Sequence, residues 1–121
     1  MGKNLLNFGD IVLVEVPFTD KDEIKLRPAM VLFEEFDNVV IIGITSNIKM
    51  DGIFIPKEEG LIIDSVLKLN YIFTIDKKRI KSKITKLSEK LLKKICEKII
   101  TEKLDFCIKN YAESMLIKIT K

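Results

Sequence analysis

Short apolar runs separated by polar turns dominate the first 76 residues, which is the pattern of a β-rich domain. The runs that predict strands cover residues 11–16, 29–33, 39–45, 53–55 and 65–70, with 71–75 continuing or bending the last of them. The run 39–45 is apolar at nearly every position and predicts a strand buried on both faces. The run 65–70 alternates and predicts a half-exposed strand. Strands spaced about ten residues apart favour a small barrel or sandwich.

The hydrophobic period changes after residue 87. Ser88 is a predicted N-cap, and the apolar residues that follow recur at helical spacing, namely Leu91, Leu92, Ile95, Ile99 and Leu104. Lysines fill most of the opposite side, so this segment predicts an amphipathic helix packed on the barrel rather than an open groove for a partner. Residues 107–115 extend the helical pattern weakly, and 116–119 favour a short strand.

The length of the chain limits the number of domains that it can form. Its 121 residues fit one domain with a hydrophobic core of its own. No segment approaches the roughly 20 apolar residues that span a bilayer, and the N-terminus lacks the apolar region of a signal peptide. We therefore expect a single cytoplasmic domain that does not associate with a membrane.

Charge is distributed unevenly along the chain. Residues 1–76 carry seven Lys and Arg against thirteen Asp and Glu, whereas residues 77–103 carry eleven against three. A basic segment favours a nucleic acid or another acidic partner, although a lysine-rich solvated helix face produces the same pattern. Histidine is absent, so any catalysis relies on arginine, lysine, tyrosine, hydroxyl or carboxylate groups.

A candidate phosphate site is formed by Arg27, which directly precedes a proline, and by Thr45, which ends an apolar run. The planar guanidinium matches phosphate oxygens and stays charged, and a threonine hydroxyl can donate a hydrogen bond to such an oxygen. Each residue also has a purely structural interpretation. Arg27 can form a surface ion pair with a carboxylate of residues 20–23, and Thr45 and Ser46 can hydrogen-bond to the local backbone.

Five sequence blocks, taken together in their order, are more specific than these patterns. They are 9–14 with 17–20, then 27–32, 44–46, 60–66, and 74–80 running on to 83–84. At these spacings the chain resembles the PemK/MazF family of type II toxin–antitoxin toxins. The resemblance covers about residues 8–105 of a single toxin domain, 1–121, and leaves 106–121 as a C-terminal extension.

The resemblance implies both a fold and an activity. The fold is mainly β (α+β), an SH3-like β-barrel of the PemK/CcdB type with a C-terminal amphipathic helix. The activity is that of an mRNA interferase, a sequence-specific endoribonuclease that cleaves single-stranded RNA without a metal or cofactor. In that reaction the 2′-OH attacks the adjacent phosphate and leaves a cyclic phosphate and a 5′-OH end. The implied partners are mRNA, a cognate antitoxin and a second copy of the chain, and DNA binding is not expected.

The same resemblance assigns roles to individual residues. The family's catalytic arginine and hydroxyl correspond to Arg27 and Thr45. A catalytic carboxylate on the loop after the first strand corresponds to Asp22 or Glu23, although these can equally be solvated loop charges. Residues expected to bind substrate around this pair are Lys25, Ser46, Asn47, Lys68 and Asn70. No metal site is expected, because the acidic loop lacks the spacing of a calcium site.

One segment departs from the family pattern. Many relatives carry an acidic residue followed by glutamine, and then an arginine before Thr-Ile-Asp, where this chain has Asn70, Tyr71 and Phe73. Asn70 can hydrogen-bond to a base edge but cannot act as a base. The two aromatic rings can stack on unpaired bases or belong to the core. Two alternatives therefore stay open: a non-catalytic toxin such as a CcdB-like gyrase poison, and an RNA-binding barrel without catalysis.

Overall fold

The computed structural model describes residues 5–17, 24–104 and 109–110. The chain divides into two compact units, residues 1–88 and residues 89–121. Six strands lie in the first unit: β1 (Asp10–Pro17), β2 (Ile24–Glu35), β3 (Asn38–Thr45), β4 (Ile53–Ile55), β5 (Ser65–Asp76) and β6 (Ile80–Lys86). The second unit contains α1 (Glu89–Lys98) and a short π-helical segment (Ile99–Lys103).

The six strands form one antiparallel sheet in the order β4-β5-β3-β2-β1-β6. β1, β2 and β3 are consecutive neighbours, β5 pairs with the far side of β3, and β6 returns to pair with β1 at the opposite edge. The sheet curls on itself, which confirms the predicted mainly-β, SH3-like fold.

Most predicted strands are found within one or two residues of their expected bounds, but β2 begins at Ile24 rather than at Ala29. Its polar first half pairs in register with β1, from Pro17 opposite Ile24 to Val14 opposite Arg27. Backbone pairing with a neighbouring strand therefore overrides the polar character of this segment. Arg27 consequently lies within β2, paired with Val14 of β1.

Two further differences concern the second half of the sheet. β5 is one continuous strand, and its first five residues are all buried, so the half-exposed prediction is wrong for residues 65–69. β6 was not predicted, because its lysines at alternating positions, Lys81 and Lys83, hide the apolar signal. Lys81 reaches Glu15, with 3.4 Å between Nζ and Oε2, so cross-strand charge pairs compensate for the missing apolar contacts.

The core lies between the faces of the curled sheet. Residues of β1, β2 and β3 form one buried cluster, Val12, Val14, Ala29, Val31, Val39 and Ile41. On the other side of the same strands Ile11, Met30 and Ile42 are also fully buried. The prediction that the third strand is buried on both faces is therefore confirmed.

The two edges of the sheet are connected by the 3-10 turn Lys57–Glu59, which follows β4. The backbone oxygen of Glu59 accepts a hydrogen bond from Thr85 Oγ1 of β6 at 3.2 Å. Its carboxylate accepts two more from Ser88, from the amide at 2.7 Å and from the hydroxyl at 2.8 Å. Gly60 ends the turn at φ 117°, where an added Cβ would lie 2.6 Å from Thr85 Oγ1. These contacts hold the curled sheet closed.

The predicted helix is confirmed, and it begins directly after Ser88. Leu92 and Ile95 are its buried residues. Lys98 donates to Glu102 at 2.9 Å across the change to π-helical geometry, and this hydrogen bond and charge lower the pKa of the Glu102 carboxyl. The predictions for 107–115 and 116–119 fall outside the described residues, apart from 109–110. Within the described chain, no helix is both long and apolar enough to cross a bilayer.

Replacing Glu59 with alanine should destabilise the first unit by about 1–2 kcal/mol, because two hydrogen bonds to a carboxylate are lost. The matched control is Glu58→Ala in the same turn, where the side chain is exposed and should contribute little. Urea unfolding of both variants measures the difference. Equal unfolding midpoints for the two variants would contradict the proposed closure.

Candidate functional site

The site is formed where β2 and β3 separate. The two strands pair from Glu35 opposite Asn38 up to Ala29 opposite Gly43, and no pairing follows. Beyond that point Arg27 pairs with Val14 of β1, whereas Thr45 pairs with Val66 of β5. Because alternate residues of a strand share a face, Arg27 lies on the face of Ala29, and Thr45 lies on the face of Gly43. The separation opens a gap between them.

A pocket of about 250 Å³ occupies this gap. Its floor includes Val14 and Ala29, which also belong to the buried core cluster. The full lining consists of Val14, Val16, Arg27, Pro28, Ala29, Gly43, Ile44, Thr45, Met50, Lys68, Tyr71 and Phe73. The two residues predicted to be catalytic, Arg27 and Thr45, therefore line the same pocket.

The hydroxyl of Thr45 is oriented by its own loop. Its oxygen accepts a hydrogen bond from the Asn47 amide at 3.1 Å, so the local backbone bond named as the structural alternative is present. This bond uses an oxygen lone pair and leaves the hydroxyl hydrogen available to a ligand. The side-chain oxygen of Asn47 in turn accepts from the Lys49 amide at 3.1 Å. Thr45 can thus act as a donor in the pocket, while Asn47 shapes the loop beside it.

A large bulge in β5 contributes the opposite wall. Ile42 pairs with Ile72 and Ile44 pairs with Leu67, so the four residues 68–71 stand opposite the single residue Gly43. Tyr71 lies against Gly43, since a Cβ added at the glycine would be 3.4 Å from Tyr71 Cβ. Lys68 Nζ lies 4.2 Å from the centroid of the Tyr71 ring. The bulge therefore places a cation and an aromatic ring together in the pocket.

The remaining predicted residues are more peripheral. Lys25, Ser46, Asn47 and Asn70 are exposed and do not belong to the pocket lining. Lys25 is nevertheless near, since it pairs with Val16, a lining residue. The candidate catalytic carboxylates, Asp22 and Glu23, lie outside the described residues, as does Asp20, the third carboxylate considered as a partner of Arg27.

The structure shows that the aromatic residues Tyr71 and Phe73 are not part of the core. Tyr71 is 55% exposed and Phe73 is 39% exposed, and both line the pocket. The apolar walls formed by Val14, Val16 and Met50 were not predicted. Val14 and Val16 alternate along β1 and pair with Arg27 and Lys25 of β2. Their place in the pocket could therefore be predicted only if the pairing of β1 with β2 were known.

The electrostatic character of the pocket follows from its lining. The lining combines two cationic side chains and the Thr45 hydroxyl with apolar walls, and its described residues include no Asp or Glu. Such a pocket favours an anion with several acceptor oxygens, and phosphate has this chemistry. Among the described residues, no three His, Cys, Asp or Glu side chains lie close enough together to hold a metal ion.

The fold and the pocket define a small curled β-barrel protein with a cationic binding site. Comparison with known families then identifies it: residues 7–102 match the model of the PemK-like, MazF-like toxins of type II toxin–antitoxin systems. The chain belongs to this family. No curated protein matches the chain.

Solved structures show the same fold. One is described as an endoribonuclease in complex with its cognate antitoxin from Mycobacterial species, and it aligns with TM-score 0.64 and 12% identity over 82% of this chain and 93% of that one. Another is the Mycobacterium tuberculosis toxin MazF-mt6, with TM-score 0.62 and 22% identity over 76% of this chain and 93% of that one. At these identities the likeness establishes the fold alone.

Proposed function

We propose that this type II toxin is a sequence-specific, metal-independent endoribonuclease that cleaves single-stranded mRNA. The observation that carries the proposal is the convergence of Arg27 and Thr45 on one pocket whose described lining has no carboxylate. Membership of the PemK-like, MazF-like toxins supports it. So does the description of a structural neighbour as an endoribonuclease.

The chemistry needed is in-line transphosphorylation. The 2′-oxygen forms a bond to the adjacent phosphorus, the bond from phosphorus to the 5′-oxygen breaks, and the products end in a 2′,3′-cyclic phosphate and a 5′-OH. The 2′-OH loses a proton, the leaving 5′-oxygen gains one, and negative charge builds up on the non-bridging oxygens. No electron transfer or external co-reactant is required.

Arg27 and Thr45 serve the charged part of this reaction. Guanidinium stays protonated, so Arg27 acts by placing its planar donors on the non-bridging oxygens rather than by accepting a proton. The Thr45 hydroxyl, fixed through its oxygen by the Asn47 amide, donates to one of the same oxygens. We assign the base that takes the 2′-proton to Asp22 or Glu23, which lie between β1 and β2 in the sequence.

The remaining features of the pocket suit an unpaired strand. The exposed rings of Tyr71 and Phe73 provide faces on which unstacked bases can lie. Lys25, Ser46, Asn47 and Asn70 offer polar groups around its rim, and base selection resides among them. The reaction belongs in the cytoplasm, where mRNA is found.

A homodimer is the proposed assembly. On β5 the consecutive residues Tyr71, Ile72 and Phe73 are all more than one-third exposed. A strand with apolar side chains exposed on both faces is typical of a surface that a protein partner covers. A second copy of the chain would cover one of these faces and leave the pocket side to RNA.

Arg27→Ala and Thr45→Val should each lower the rate of RNA cleavage by about 10²-fold or more, because each removes a donor that stabilises developing charge. Initial rates on a panel of fluorogenic RNAs measure the effect. The chain provides a matched control in Arg79→Ala, since Arg79 is its other arginine and lies exposed in the turn before β6. Cleavage by Arg27→Ala at the wild-type rate would remove the proposed site.

The two alternative functions, a gyrase poison and a non-catalytic RNA-binding barrel, predict different results. Intact RNA together with inhibition of DNA supercoiling would indicate a gyrase poison. RNA binding with no cyclic-phosphate product would indicate a binding barrel that has lost catalysis.

A cognate antitoxin, which we expect to be acidic, should abolish cleavage by blocking access of RNA to the cationic pocket. Titrating wild-type toxin with antitoxin should lower the cleavage rate until the two are equimolar and displace a bound RNA in parallel. Unchanged activity at saturating antitoxin would contradict this mode of inhibition.

A further inference from the structure

We propose that Lys68, held by Tyr71, is a second phosphate-binding cation of the pocket and takes an RNA phosphodiester together with Arg27. The inference deepens the proposed function and rests on it for the identity of the ligand. Its structural basis is independent of catalysis, because it concerns where the Lys68 ammonium lies in the pocket.

The first observation is the burial of Lys68. Only 8% of this residue is exposed, whereas lysine is almost never fully buried unless it is paired. No ion pair or hydrogen bond joins Lys68 to another residue among 5–17, 24–104 and 109–110. The buried part of Lys68 is therefore its methylene stem, and its ammonium is presented at the pocket that the residue lines.

The second observation is that the chain directs Lys68 into the pocket. Residues 68–71 form the bulge opposite Gly43, and bulges redirect side chains out of the regular alternation. The Lys68 ammonium then lies over the Tyr71 ring, 4.2 Å from its centroid. A cation–π contact fixes the position of the charge, but a neutral ring does not neutralise it.

The third observation is the set of side chains that share the pocket with Lys68. Lys68 shares a pocket of about 250 Å³ with Arg27, and no acidic side chain is found in the described lining. A phosphodiester bound in this pocket offers oxygens to both cations and to the Thr45 hydroxyl. The small volume fits a segment of about one nucleotide, since pockets for larger ligands usually exceed 300 Å³.

Binding of a non-cleavable RNA tests the inference without relying on activity. The probe is a fluorescent single-stranded oligonucleotide, methylated at every 2′-oxygen, carrying a sequence that the wild type cleaves or, failing cleavage, a mixed sequence. Fluorescence anisotropy at several salt concentrations gives Kd and its salt dependence. Lys68→Met should raise Kd about tenfold or more and reduce the slope of log Kd against log salt by roughly 0.7, the value for one lost phosphate contact on a single strand.

Four further variants complete the test. Lys57→Met, at an exposed lysine in the turn after β4, should bind close to wild type. Lys68→Arg keeps the charge and should restore most of the affinity. Tyr71→Leu should weaken binding, and the double variant Lys68→Met with Tyr71→Leu should lose less affinity than the two single losses combined, because Tyr71 acts in part by holding Lys68.

Stability distinguishes a ligand-binding role from a structural one. Methionine keeps the apolar stem of the side chain without its charge, so Lys68→Met should keep the wild-type Tm while binding RNA more weakly. The inference is overturned if Lys68→Met binds the probe like the wild type, or if the wild type does not bind it. Probe binding that depends on Lys68, with no cleavage of unmodified RNA by the wild type, would contradict the proposed function and leave the subsite standing.

Discussion

The separation of β2 from β3 beyond the pair Ala29–Gly43 is the constraint on which the site depends. β3 is paired on both sides, with β2 along one edge and with β5 along the other, and the two pairings end at different residues. Had β2 followed β3 to its end, Arg27 and Thr45 would face each other across a closed ladder. Because β2 continues alone with β1 beyond this point, the two side chains border an open pocket whose lining includes the core residues Val14 and Ala29.

The bulge in β5 forms another wall of the pocket that this separation opens. β5 must pair with β3 through Ile42 and Ile44, and it takes up extra residues between these contacts. This segment brings the Lys68 ammonium to 4.2 Å from the centroid of the Tyr71 ring. The positive charge of the pocket is therefore produced by topology: one cation comes from the paired part of β2, and the other from an unpaired part of β5. A phosphodiester is the ligand that both cations and the Thr45 hydroxyl can bind together.

The sequence predicted much of this from local signals. The buried run of β3 and the amphipathic pattern of α1 identified those elements, and the Arg-Pro pair and the strand-ending Thr45 identified the two residues that meet in the pocket. The early start of β2 was missed because its stability comes from pairing with β1 rather than from its own side chains. β6 was missed because its lysines are balanced by acids of β1, such as Glu15. The bulge was also beyond prediction, since its register depends on pairing between distant segments.

The central claim, that the pocket promotes attack of a 2′-OH on the adjacent phosphate, is tested most directly by the chemistry of the RNA ends. Wild-type toxin incubated with a long unstructured RNA in excess chelator should produce fragments that share one short sequence at the cut. Each fragment should carry a 2′,3′-cyclic phosphate on one side and a 5′-OH on the other, as read by end-specific ligation and sequencing. Cuts that leave 5′-phosphate ends, or that disappear with the chelator, would contradict the account.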